Sequence, residues 1–571
     1  MFVACTRMKK SKGKAFFFEK KKQKTFIFSP SPAIRHEADR TYLNEQKFFG
    51  SFFQKRTTSF LALLAALPGC TVGPSYSSHA MWSPSSWFGS AHTAPAYAGS
   101  VPVPEPVDPA WWNLFHDAEL SSLESRVAAA NLNVRLATIR LAESRSQRQI
   151  TGADQFPTLK ADGSYTRELV SKDGVLSLFS GGGGTSFGSS GGVANGASGT
   201  SGGIPPSAAG LSTRIPPFNL WQYGFDASWE LDLWGRVRRE VEGADASVEA
   251  SADARRNALL SVLAEVARDY VQLRGIQTQL AITRDNIGTE RESLALSQDR
   301  FRGGLTTELD VVNAAAQLKT TESQVPPLEQ QQAASINALS YLLGEAPKAL
   351  SAELIDAKPV PPVPPRVPVG VPSELARRRP DIRQAEAQLH AATADIGVAV
   401  ASFYPQVTLD GSFGLQALQF KDLGNWAARQ YGLGPTISLP IFQGGRLRGT
   451  LALRRVEQQE AALTYEQTVL QAWHDVDNAL TAYAAEQRRR DALEEAVVQN
   501  RKALDLSRQR YAQGVADFLN VLDAERSLLA AQLAFADSST TVSTNLVQLY
   551  KALGGGWEPT YPVQTASAKV H

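Results

Sequence analysis

The chain of 571 residues contains only two cysteines, Cys5 and Cys70, with three methionines and seven histidines. Beyond Cys70 there is no thiol left for a disulfide or a thiolate metal site. The histidines at 36, 79, 92, 116, 390, 474 and 571 follow no metal-ligand spacing, and His390 and His474 fall in helical patterns as packed or solvated side chains. No metal or cofactor is expected. No apolar run approaches the ~18 residues that a membrane-crossing helix needs. A nucleophile elbow set between strand and helix is missing, as is a nucleotide fingerprint, so an enzyme finds no support. Strong net charge is absent too, although the overall +2 hides an asymmetry. Residues 1–69 hold 14 Lys and Arg against 4 Asp and Glu, leaving 44 basic and 52 acidic groups, a net −8, in the remainder. A mildly acidic body is a poor partner for nucleic acid.

What is present begins with an export signal. Lys55-Arg56 form a positive flank, Phe60–Leu67 a short apolar core, and Leu67-Pro68-Gly69-Cys70 closes it. Small residues before a cysteine resemble the bacterial lipobox, which implies cleavage before Cys70 and a covalent lipid on it. An ordinary signal peptide with an incidental cysteine is the alternative. Thr71 follows, so the aspartate that retains lipoproteins at the inner membrane is absent. Residues 1–42 fit no signal plan, and translation is expected to start near Leu43. The expected division is a signal over 1–69 and a lipid-anchored segment over 70–116.

The body says the same thing twice. Leu296–Gly344 aligns with Leu506–Gly554 at an offset of 210, so that Arg300/Arg510, Phe301/Tyr511, Gly304/Gly514 and Leu309/Leu519 coincide. Phe156-Pro157 followed by Asp162–Tyr165 matches Tyr404-Pro405 followed by Asp410–Phe413 at 248, and Tyr223–Trp234 matches Tyr431–Phe442 at 208. These pairs predict one repeat over 117–345, a proline-rich linker over 346–372, a second repeat over 373–556 and a tail over 557–571.

Each repeat has one plan. A helix, Ala118–Ala153 or Arg379–Ala401, runs to an aromatic-proline break. The period then changes from 3.6 to 2: Leu159, Ala161, Gly163 and Tyr165 alternate with polar residues, as do Val407, Leu409, Gly411 and Phe413. Returning strands follow at Tyr223–Leu231 and Tyr431–Leu439. Alternating segments of about 10 residues with terminal aromatics fit membrane strands, while a soluble hairpin with one wet face fits as well. The loop inside the first hairpin is 40 residues longer and holds the tract Gly181–Gly203, read as a mobile surface loop.

Residues 236–303 and 446–513 contain no proline, and helices of that length reach about 100 Å. Leu493, Val497, Asn500, Leu504, Ser507 and Tyr511 follow coiled-coil steps, with Ile287, Leu294, Ser297 and Phe301 as first-repeat counterparts. Gly304 and Gly514 mark the hairpin turns. Return helices are expected over about 307–342, interrupted at Pro326-Pro327, and 517–553. Four strands cannot close a membrane barrel alone, and helices this long have no globular core to lie against. Both point to an oligomeric tube. A periplasmic coiled-coil tether is the competing class.

Arg379-Pro380-Asp381-Ile382, Ala385-Glu386, Ile396-Gly397, Phe403-Tyr404-Pro405, Pro440-Ile441-Phe442 and Gly444-Gly445-Arg446 carry a resemblance, together with Arg510-Tyr511 and Val521-Leu522-Asp523-Ala524. In that order, and duplicated, they resemble the outer membrane factor family of TolC-type exit ducts, in its OprM/NodT-like lipoprotein branch. The resemblance implies a membrane α+β fold: a homotrimer whose 12-stranded barrel continues into a helical periplasmic tunnel. It implies the passive exit duct of a tripartite pump that exports small molecules such as drugs, with a periplasmic adaptor and an inner-membrane RND-type pump as partners. The duct of a protein secretion system is an alternative. Leu519, Asp523 and Arg526 match the periplasmic constriction and its ion-pair latch, and Tyr511 a latch tyrosine. Asn520 stands where TolC-type members have aspartate, so a weaker hold on cations is expected. Read without the family, Asp523 and Arg526 are either three acidic groups with their counter-cation around an axis or an exposed i,i+3 pair.

Overall fold

This computed structural model describes residues 71–77, 84, 87, 99–169 and 217–562. The export signal, Cys70, the glycine-rich tract and most of the expected tail lie outside the described residues.

Twelve elements form the body. Helices α1 (Ala118–Ala130) and α2 (Leu132–Ala153) lead to strands β2 (Thr158–Glu168) and β3 (Phe218–Leu231), then to α3 (Arg236–Arg302), α4 (Glu308–Glu322) and α5 (Val325–Leu342). The same order returns as α6 (Pro380–Ala401), β5 (Gln406–Ala417), β6 (Arg429–Ser438), α7 (Arg446–Ala512) and α8 (Phe518–Leu553). The long helices α3 and α7 have 67 residues each, and α2 and α6 have 22 each. At 1.5 Å per residue the long pair reaches about 100 Å.

Two sequence expectations need correction. The single helix over Ala118–Ala153 is two, because Asn131 adopts an extended backbone and caps α2, its Oδ1 accepting from Asn133 N at 2.8 Å and Val134 N at 3.2 Å. The linker is more than an extended connector. Leu350, Leu354, Val367 and Val369 are buried, and its strand β4 (Arg366–Pro368) pairs in parallel with β1 (Val101–Val103) of the N-terminal segment. An apolar residue in a proline-rich stretch still gains about 1.5–3 kcal/mol by burial, which outweighs the expected looseness.

The four long strands form one antiparallel sheet in the order β2-β3-β5-β6. Helices above it keep the same neighbours: α2 lies on α3, α3 on α6, and α6 on α7. The main core lies among the middles of α3 and α7, the ends of α5 and α8 and the N-terminal segment, with Trp111, Tyr270, Tyr483 and Tyr550 inside it. A second, smaller core of Leu504, Tyr511, Phe518, Val521 and Leu522 lies beside the Gly514 turn.

One contact ties each half to its own return helix. Asn131 Nδ2 donates to Leu342 O at 2.8 Å, and Arg379 Nη1 donates to Ala552 O at 3.0 Å. The two donors differ by 248 in number and the two carbonyls by 210, the offsets of the internal alignment. Arg379 also grips Asp381 (Nε–Oδ1 3.0 Å, Nη2–Oδ2 2.7 Å) and Asp475 (3.2 Å). The motif Arg379-Pro380-Asp381 is therefore a staple between helix ends.

Candidate functional site

The sheet sorts its side chains by register. One row runs Ala161, Phe225, Phe413, Tyr431 across all four strands, and the next runs Leu159, Ala227, Gly411, Leu433. Trp229, Leu409 and Pro435 continue that face. The opposite face carries Lys160, Asp226, Ser412 and Gly432 in one row and Thr158, Ser228, Asp410 and Gly434 in the next. Alternation kept in register over four strands gives one mainly apolar surface, with Arg429 towards its end, and one mainly polar surface, with Leu220 and Phe218 towards its end. The polar side is hydrogen-bonded across strands, with Ser228 Oγ donating to Asp410 Oδ1 at 2.7 Å. Both outer strands, β2 and β6, pair on one side only. Among the described residues no helix is long and apolar enough to cross a membrane.

Where the sheet meets the helices, the first described residues are strapped to the body. Val72 N donates to Trp234 O at 3.1 Å, and Tyr76 Oη donates to Glu386 Oε1 at 3.0 Å while its ring stacks on His390. Gly73 crosses Gly397 so closely that a Cβ on Gly73 would lie 2.6 Å from Gly397 Cα. Gly397 in the Ile396-Gly397 motif thus makes room for this strap. Sequence patterns carry no signal for it, because the partners are 162 to 324 residues apart. His390 Nε2 donates to Glu242 Oε1 at 3.1 Å, and His474 is exposed.

At the far end the two turns are built alike. Gly304 (φ 70°) and Gly514 (φ 74°) are left-handed, with Leu305 N bonded to Arg300 O at 2.8 Å and Val515 N to Arg510 O at 2.9 Å. This is the six-to-one bond of a glycine-terminated helix. Leu519, Asp523 and Arg526 share one exposed face of α8, four and then three residues apart. Asp523 also borders an open groove with Asn500, Arg510, Asp517 and Asn520.

Within the single chain, these residues make contacts of their own. Asp523 and Arg526 form no ion pair among the described residues. Arg526 Nε donates instead to Oε1 of the buried Gln317 at 2.6 Å. Tyr511 is 4% exposed, inside the second core, packed on Phe518 and covered by the Arg300 guanidinium at 4.7 Å. Its coiled-coil counterpart Phe301 is 44% exposed, so the two seams are not equivalent. Sequence reading missed the polar layer just above: Glu290, Gln317, Thr321, Ser293 and Glu525, all buried. Burial pushes the Glu290 carboxyl above the ordinary range, against the pull of hydrogen bonds from Gln317 and Thr321.

Comparisons with known proteins bear on what a chain with this amphipathic sheet and these long helices is. The family described as outer membrane efflux protein matches residues 123–345 and 371–555. The chain belongs to the outer membrane efflux protein family. It is 32% identical to the outer membrane protein OprJ of Pseudomonas aeruginosa over 503 residues, covering 88% of this chain and 96% of OprJ. It is 28% identical to the cation efflux system protein CusC of Escherichia coli, covering 86% and 97%. Among solved structures it resembles the outer-membrane channel OprN at a TM-score of 0.73 and 32% identity, covering 86% of this chain and all of that one. The protein is an outer-membrane efflux duct.

Proposed function

We propose that three copies of this chain form the duct, each giving four strands to one barrel and its helices to one tunnel, and that the duct serves a tripartite efflux pump. The supporting observation is the match between its two unpaired flanks. Strand β2 is fed by α2, and β6 feeds α7. The outer face of α2 exposes Leu132, Leu136 and Ile139, and that of α7 exposes Val456, Leu463 and Leu470. Leu136 and Leu463 each lie 17 residues from the sheet end of their helix, at the same height of about 25 Å. If β6 of one copy pairs with β2 of the next, these stripes meet and both open edges close. An unpaired edge in lipid costs several kcal/mol per group, so closure by copies is the stable solution.

Within this reading the apolar face meets lipid and the polar face lines the lumen. Thr71 lies against Gly235 at the sheet–helix junction, so a lipid on Cys70 would enter the leaflet beside the barrel. Leu519, Asp523 and Arg526 ring the inner aperture, with a periplasmic adaptor and an inner-membrane RND-type pump beyond it. Exported cargo consists of small molecules such as drugs, selected by the pump.

Trimers extracted from outer membranes should run as a heat-modifiable band and form channels in planar bilayers. Asp523→Ala with Arg526→Ala should raise conductance and the leak of large antibiotics. Unchanged conductance in assembled trimers would remove the gate from this proposal, and a monomer in mild detergent would remove the duct.

A further inference from the structure

Buried between the two helical hairpins, about three turns above the glycine turns, lies a polar layer that joins α8 to the first half of the chain. Gln317 and Thr321, four apart on α4, both donate to Glu290 Oε1 of α3, at 3.1 and 2.9 Å. Gln317 Oε1 accepts from Arg526 Nε at 2.6 Å. The neighbouring Glu525 accepts from Ser293 Oγ at 2.6 Å and from Arg508 Nη2 at 3.0 Å. Arg508 also reaches Thr289 O at 3.1 Å.

This arrangement fixes which way the Gln317 amide points. Its NH2 must face the Glu290 carboxylate and its carbonyl must face the Arg526 guanidinium. The flipped amide would set oxygen against carboxylate and NH2 against guanidinium, losing both bonds. Apolar side chains have no such preference, and a shorter amide would not span from Glu290 to Arg526. Arg526 is otherwise an exposed side chain on a helix face, free to swing towards Asp523 one turn away.

We propose that Gln317 is a positioning residue for the inner aperture: it holds the Arg526 guanidinium on the first half of the chain and thereby sets how far Arg526 projects towards Asp523 and the axis. This rests on the reading of Arg526 as a gate residue. The aperture is then a property of both halves, with the charged groups on α8 and their anchor on α4. Opening that separates the hairpins must release Arg526 from Gln317.

The test uses the full chain purified as trimers, with single-channel conductance in planar bilayers as the readout. Gln317→Met keeps the length of the side chain and removes both polar functions. Its conductance should change by the same factor as that of Arg526→Ala, and the double variant should change no further, as expected of residues acting as a unit. The exchange pair Glu290→Gln with Gln317→Glu conserves charge, returns an acceptor to Arg526 and places a donor opposite it. It should restore wild-type conductance, which a merely structural loss would not predict. Should Gln317→Met fail to assemble, the exchange pair decides: wild-type conductance supports the proposal, and an altered one overturns it. Changed conductance in Arg526→Ala beside unchanged conductance in Gln317→Met sinks the positioning role alone. Unchanged conductance in Arg526→Ala sinks the gate reading and the positioning role together.

Discussion

The hairpin turning at Gly304 and the hairpin turning at Gly514 share a backbone and differ in what surrounds it. Around Gly514 the second half builds a small core from Tyr511, Phe518, Val521 and Leu522, and the first half reaches across to cover it. Arg300 Nη1 donates to Ala512 O at 3.1 Å, and its guanidinium lies over the Tyr511 ring. Around Gly304 the matching positions Phe301 and Val312, counterparts of Tyr511 and Leu522, stay exposed. The same asymmetry appears one layer up. Glu290 is buried with two donors from α4, while its counterpart Asn500 donates only to its own helix, to Ala496 O at 2.8 Å. A duplicated backbone has thus been given one clasping half and one clasped half. On the proposed reading, gating chemistry lies on the clasped half and the other half supplies its anchors.

The two staples test that comparison most strongly. Arg379→Ala removes a mostly buried guanidinium from two carboxylates and a carbonyl, and should lower unfolding stability by about 3 kcal/mol. Asn131→Ala, at the matching position, loses two cap bonds and the bond to Leu342 O, for about 1–2 kcal/mol. Denaturant titration of both in the same detergent gives the ratio, and equal losses would break the distinction between a charged and a neutral staple.

Glu124 on α1 belongs to the first half alone, and both its carboxyl oxygens are buried without a partner. Burial raises its pKa well above the ordinary range, so the folded state holds the proton more tightly than the unfolded one. The wild type must then lose stability as pH rises through the ordinary carboxylate range towards neutrality. Glu124→Met should be more stable than wild type by about 1 kcal/mol at neutral pH, with a smaller gain at pH near 4. Thermal melts at the two pH values measure this, and a gain that grows on acidification contradicts it.

The smallest effect is expected at Tyr511. Its hydroxyl is buried without a partner, so Tyr511→Phe should change stability by less than about 1 kcal/mol and leave conductance as it was. A clear rise in conductance would show that the hydroxyl acts as a latch in the assembled duct.

Much of this was legible in the chain itself. Periodicity marked the long helices to within a residue or two, because an uninterrupted run without proline leaves few alternatives. Alternation marked all four strands, although Leu439 lies just beyond β6. At the inner turn, Leu519, Asp523 and Arg526 were found as one helix face. The partner of Arg526 was not, because Gln317 lies 209 residues away and a lone glutamine in a helix has no pattern. Asn131 and Arg379 were equally hidden as a pair, since an amide and a guanidinium share a donor and little else.

The sequence alone settled the element order, the doubling of the plan and the two-faced character of the strands. These follow from local rules: helix period, strand period, and the preference of glycine and proline for turns. Folding in three dimensions added which half clasps the other and that Tyr511 turns inward. It also gave Arg526 to Gln317 rather than to Asp523. Such choices depend on desolvation and hydrogen-bond geometry among residues hundreds of positions apart, quantities that no local pattern contains.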